Sequence, residues 1–331
     1  MKTPSKSFSW PVFAGCVVFC MSSLAGWAQA QGQLLRINTE LQAGDADAAF
    51  TTLRSLPQGG ADNAEAQNLA CRIHYVLENW DRAVSNCQKA VQLDPNNARY
   101  HLWLARALGE KAGHANFLTA YSLGKQARVE FETAARLNPH DAEILSDLGD
   151  FYQQAPGIVG GGTDKAERVA EQLDALDPAR AHQLRGRIAE AHGDFATAER
   201  EFKAAIAASV HPALYWTTLA GFFRRRQRWQ DVENAVHSAL TMAGHDKRAT
   251  IALYDGAGVL IESRRDPALA AKMLESYLSA DSRTEEGPAF EAHLRLARLK
   301  ALLGDPSAAE RERNAALALA HDYKPALEAK F

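Results

Sequence analysis

The sequence predicts an all-α chain, a solenoid of antiparallel helix pairs stacked one on the next. Small residues recur at helical spacing on facing helices, polar turns separate the two helices, and a stop string closes pair after pair. The string reads Ala90, Val91, Gln92, Leu93, Asp94, Pro95. It returns as Ala134, Ala135, Arg136, Leu137, Asn138, Pro139 and as Leu173, Asp174, Ala175, Leu176, Asp177, Pro178. Proline cannot continue a helix and pushes the residue before it out of helical geometry, so each string ends a pair. One pair cannot bury its apolar face alone, and stacking is obligatory.

In chain order, residues 1–30 read as a secretory signal. Lys2 and Lys6 supply the positive region, an apolar stretch follows, and Ala28, Gln29 and Ala30 form a small-x-small cleavage site. Gly15 and Ser22 interrupt that stretch, which argues against a permanent membrane span. Ala14, Gly15 and Cys16 offer a rival lipid-attachment reading, with Phe13 a poor fit. Residues 31–331 then form about seven to eight units, opening with a degraded one that turns at Gly44 and Asp45.

Residues 64–97 set the register. Ala70, Cys71 and His74 share a face of the first helix, and Ala83, Cys87 and Ala90 the inner face of the second. The plan recurs with Leu104, Ala105, Ala127 and Phe131, with Leu145, Leu148, Gly149 and Ala166, and with Gly186, Ala189, Ala198 and Phe202. Later units carry Trp216, Leu219, Val232 and Val236, then Ala257 and Ala270, then Ala297 and Ala309. Asp266 before Pro267 and Asp305 before Pro306 suit an N-cap followed by the first helical residue.

These residues resemble the tetratricopeptide repeat, a helix-turn-helix unit of about 34 residues. The resemblance covers nearly all of the chain after residue 30 and is strongest over 64–97 and 180–209. It implies a right-handed superhelix that binds proteins or peptides in a concave groove and does no chemistry. The 142–180 unit, with its glycine loop, is similar to a group of bacterial exported repeat proteins without an assigned activity.

Two insertions interrupt the repeat, one near 111–123, with His114, Phe117 and Tyr121, and one at 155–162, rich in glycine. Both fall between the helices of a pair, so neighbouring repeats place them on one edge, where insertions often mark a binding site. By register the groove receives Asn68, Arg72, Arg99, Trp103, Arg106, Arg180, Arg187 and Arg224. Some peptide-binding members of the family hold a carboxylate with basic and amide groove residues, which makes Asn68, Arg72, Arg99, Trp103, Arg106, Phe117, Tyr121 and Arg187 the expected partner-binding set. The alternative is that these arginines are solvated or pair with acids on adjacent repeats.

Other chemistries find no support in the residues. Removing residues 1–30 takes two lysines and no acid, lowering the formal net charge from −3 to −5. That balance gives no reason to expect nucleic acid or a membrane surface, and no second segment approaches spanning length. Histidines are scattered without metal-helix spacing, the serines lack a nucleophile elbow, and Thr163 and Asp164 after Gly162 do not make a phosphate loop. No metal or cofactor is expected, and the oligomeric state is open. Glu285 and Glu286, beside Gly287 and Pro288, read as a solvated turn. Cys71 and Cys87 face each other across a helix pair, and export favours a disulfide over two buried thiols. The expected role is a scaffold or adaptor in the cell envelope, periplasmic or secreted. The alternative is an accessory subunit of an envelope enzyme or of a cofactor or cytochrome assembly system.

Overall fold

The computed structural model describes residues 15–57 and 63–331, and for residues 15–28 and Lys247 the backbone only. The positive region of the signal reading therefore lies outside the described residues. Eight antiparallel pairs follow one another: α1 (Gly15–Ala43) with α2 (Ala46–Arg54), α3 (Ala64–Val76) with α4 (Trp80–Leu93), α5 (Ala98–Gly113) with α6 (Phe117–Leu137), and α7 (Ala142–Gln154) with α8 (Thr163–Leu173). Then come α9 (Pro178–Ala191) with α10 (Phe195–Ala208), α11 (Pro212–Arg225) with α12 (Trp229–Ala243), α13 (Ile251–Ser263) with α14 (Pro267–Ser279), α15 (Ala289–Leu302) with α16 (Pro306–Leu319), and the short α17 (Lys324–Leu327). The described residues contain no strand, and no helix among them is long and apolar enough to cross a membrane.

Local chemistry explains the boundaries. Asp45, Asn63, Asn97, Asp141, Asp194 and Asp305 each accept a backbone N–H of the helix they precede, which satisfies donors that the helix leaves unpaired. The first two stop strings end α4 at Leu93 and α6 at Leu137. The third differs: α8 ends at Leu173, while Asp177 caps α9 and Pro178 is its first residue. Proline suits that position, where its missing N–H has no helical partner to lose.

Inside a pair the helices approach closely. Gly186 of α9 faces Phe202 of α10 so tightly that a Cβ there would lie 2.6 Å from the ring. A recurring histidine ties the two helices: His182 Nδ1 meets Glu201 at 2.8 Å and His293 Nδ1 meets Glu312 at 2.6 Å, each 19 residues apart. His101 meets Glu130 in the same way but across 29 residues. The ten extra residues are the first insertion. They do not form a loop over 111–123. Instead α5 runs to Gly113 and α6 begins at Phe117, so the insertion lengthens both helices.

Cys71 and Cys87 are both fully buried, with Cα atoms 5.2 Å apart and sulfurs 1.98 Å apart. A closed loop of this size stabilises by roughly 3 kcal/mol through the unfolded chain. Reduction of the purified protein should therefore lower its melting temperature, and the Cys71→Ala, Cys87→Ala variant should melt low in both redox states. Two reactive thiols in oxidatively purified, denatured protein would contradict the bond.

The ends of the array meet, which the sequence did not announce. Ile37, Leu41, Ala49 and Leu69 from the first pairs share one buried cluster with Phe290, Leu294, Ala316 and Tyr323 from the last. Polar contacts rim this seam. His321 donates its backbone N–H to Asp47 at 2.9 Å and its ring nitrogen lies 2.7 Å from the same carboxylate. Arg283 reaches the carbonyl of Ala43 at 3.4 Å. Gly44, at φ +75°, lies so close to α15 that a Cβ would fall 2.1 Å from the backbone nitrogen of Ala289.

Gly193, at φ +78° in the α9–α10 turn, has open space around it. Alanine at either glycine takes on left-handed backbone strain of about 1–2 kcal/mol, but only Gly44→Ala also wedges the seam. We expect amide exchange to rise in α1–α2 and in α15–α16 together for Gly44→Ala, and only near the α9–α10 turn for Gly193→Ala. Matched local effects from the two variants would contradict closure.

Candidate functional site

Closure turns the concave groove into a lumen, and its arginines are engaged within the chain. Arg72 is 7% exposed. Its guanidinium forms a fork on Glu285, at 3.0 and 2.8 Å, and also donates to Asn38 at 2.9 Å. Arg106 donates to Asp147 at 2.6 Å and Glu143 at 2.8 Å, and Arg99 joins Glu143 at 3.0 Å. Arg187 pairs with Asp150, Arg180 with Asp177 and Arg224 with Glu262. Trp103 is 4% exposed, with Arg72 and Arg106 over its ring at 5.3 and 4.7 Å. Asn68 is buried.

The structure thus places most of the expected partner-binding set in contacts within the chain. Asn68, Arg72 and Trp103 are buried, half-buried Arg106 is held by Asp147 and Glu143, and Arg99 and Arg187 already hold carboxylates of the adjoining repeat. Despite its burial, Glu143 is held below the usual carboxylate range by Arg106 and Arg99, as expected of an ionised pair. The solvated-turn reading of Glu285 is corrected, since the 280–288 connection carries its carboxylate into the groove. The signal was available: that connection is long for this array and places two acids beside Gly287 and Pro288.

The two remaining residues of the set do converge. Ala105, Gly109 and Ala112 on α5 face Ala120, Gly124 and Ala127 on α6. With so little side-chain volume between them, the two lengthened helices leave a cleft of about 570 Å³. Phe131, Phe151 and Val159 form apolar wall, and Tyr121 lines one side. Phe117, 73% exposed, and Ile158, 61% exposed, stand at its rim.

Ile158 belongs to the second insertion, which folds as a short 3-10 turn (Gly157–Val159) against α6. Gly160 lies at φ +98° and Gly162 at φ +155°, conformations that suit glycine. The loop amides are engaged internally: Gly160 donates to Gly157, Gly161 to Pro156 and Gly162 to Tyr152. The loop is thus a self-satisfied wall of the cleft and not an anion cradle.

Tyr75 and Arg106 line both the cleft and the lumen beyond. There Tyr75 meets Trp80 and Trp103 edge-on at 5.5 Å, and Trp80 stacks on His114 at 5.7 Å. Among the described residues, Asp47, His321 and Asp322 come closest to a metal-binding group. Asp47 already accepts two hydrogen bonds from His321 and Asp322 is exposed, so the trio reads as seam chemistry.

No family model matches the chain. Superkiller complex protein 3 of Mus musculus is 28% identical over 147 residues, covering 41% of this chain and 8% of that protein. A thermophilic TPR protein of Thermus thermophilus is 21% identical with a TM-score of 0.49, covering 59% of this chain and 98% of that one. The Cut9–Hcn1 structure is 17% identical with a TM-score of 0.45, covering 78% of this chain and 48% of that one. The stacked helix pairs described above, and not these partial likenesses, define the repeat type.

Arg106 supplies the test of the paired groove. Arg106→Met strips Asp147 and Glu143 of their shared cation, and breaking a half-buried pair from one side costs of order 3 kcal/mol. Adding Asp147→Asn should recover part of that loss in a denaturant melt. An Arg106→Met protein as stable as the parent would mean that the guanidinium is free for a partner after all.

Proposed function

We propose that this chain, a solenoid of tetratricopeptide-type repeats closed end to end, is a non-catalytic adaptor of the cell envelope that docks a protein or peptide partner at the insertion-edge cleft. One observation carries the reading: the two departures from the repeat plan, from separate pairs, build one apolar cleft with Phe117 and Ile158 exposed at its rim. Stacking alone requires neither departure. Exposed aromatic and aliphatic anchors around a pocket are what dominates interface energetics.

Three histidines have a structural place, since His101, His182 and His293 tie the helices of their own pairs. Export is supported by two features. Gln29 and Ala30 both lie outside the core, and the first buried side chain among the described ones is Leu34, which suits cleavage after Ala30. The facing cysteines suit an oxidising compartment. On this reading the chain is periplasmic or secreted, and lipid anchoring through Cys16 is the lesser route.

A photo-crosslinking residue at Ile158 in growing cells tests the reading. We expect one dominant adduct that disappears when Phe117→Asp is added. Recovery of an envelope enzyme at fixed stoichiometry would assign the accessory-subunit role. A crosslinker at Val210, which is 86% exposed on a distant turn, serves as the control. The same adduct from Val210, or indifference to Phe117→Asp, would move the site away from the cleft.

A further inference from the structure

By composition the groove looks basic, with seven arginines at its expected positions or beside them. The pairing reverses that sign. Arg72, Arg99, Arg106, Arg180, Arg187, Arg224 and Arg295 each contact at least one carboxylate. Three carboxylates on the lumen side pair with no cation among the described residues. Glu286 and Asp255 make no hydrogen bond or ion pair there, and Glu110 contacts only the Tyr75 hydroxyl. Glu110 lines both the cleft and the lumen, and Glu286 lines the lumen beside it.

Their enclosure makes the excess felt. Asp255, on α13, is close enough to Glu286 to feel its charge. Desolvation, with Glu286 adding, pushes its carboxyl up to about 7. Glu286 is raised too, by desolvation first and then by Glu143 and Glu285, against the pull of Arg106 and Arg180. Like charges that resist ionisation in one enclosure are relieved by an incoming cation.

We infer that the cleft recognises a segment of a partner protein carrying an apolar anchor followed closely by lysine or arginine. The anchor enters between Phe117 and Ile158, and the cation passes Tyr75 to reach Glu110 and Glu286. An acidic segment, the occupant that the arginine count suggests, meets no unpaired cation among the residues lining the cleft; Lys125, which has no acid partner among the described residues, lies beside it on the Tyr121 hydroxyl at 3.0 Å. Arg264 and Arg298, which have no ion-pair partner among the described residues, stand at a different cleft, between α13 and α15. The aromatic faces of Trp80 and His114 add a surface on which a guanidinium can rest.

This inference rests on the docking role proposed for the cleft, and the test separates the two. Random short peptides displayed on phage are selected against the oxidised protein lacking residues 1–30, and each binder is re-tested on Phe117→Asp and on the double variant Glu110→Gln, Glu286→Gln. Thermal melts confirm that both variants fold. We expect the Phe117-dependent binders to carry an apolar residue with nearby lysine or arginine, and to weaken about tenfold or more on the double variant. Their binding should also fall with added salt. Phe117-dependent binders that are neutral or acidic, or that ignore the double variant, would overturn the cationic chemistry while keeping the docking role. A selection with no Phe117-dependent binder would overturn both.

Discussion

The seam between the first and last repeats is the contact on which the other features depend. A repeat array has two ends that expose the faces its neighbours would cover, and it must cap both. Here each end caps the other: Phe290, Leu294 and Tyr323 complete the apolar face of Ile37, Leu41 and Leu69. Nearest-neighbour stability becomes circular, so a lesion at one terminus is felt at the other. The glycine at Gly44 is what lets the α1–α2 turn touch the start of α15.

Closure dictates the electrostatics inside. In an open groove, arginines remain solvated and wait for a carboxylate from elsewhere. In an enclosed one, an unpaired guanidinium is costly, and the chain supplies its own acids. Glu143, Asp147 and Asp150 come from the adjoining helix α7, and Glu285 arrives from the far side of the ring on the 280–288 connection. The same connection helps to hold the seam, with Glu285 reaching Gln42 at 3.4 Å and Arg283 reaching Ala43. Pairing the groove and closing the ring are one structural event.

Most of the local plan was legible. The facing small residues, the Asp–Pro starts and the paired insertions follow from periodicity and capping, and the proximity of Phe117 to the glycine loop follows from repeat register. The first insertion was misread in form because Lys111, Ala112 and Leu123 have helical propensity and simply extend α5 and α6. The roles of Arg72 and Glu285 were hidden for a different reason. They lie 213 residues apart, and only the summed rotation of eight pairs brings them together. Small angular terms per repeat, invisible in any one unit, decide whether an array stays open or meets itself.

A distance across the seam tests this account most directly. Nitroxide labels at Thr51, on α2, and Asp322, beyond α16, both sit on the exposed rim of the junction. The paired Cys71 and Cys87 leave a Thr51→Cys, Asp322→Cys variant with only the two intended thiols once residues 1–30 are removed. Pulsed electron resonance on that protein should return a single narrow distribution at the short end of the measurable range. A broad distribution centred at the span of an open superhelix would contradict the closed ring.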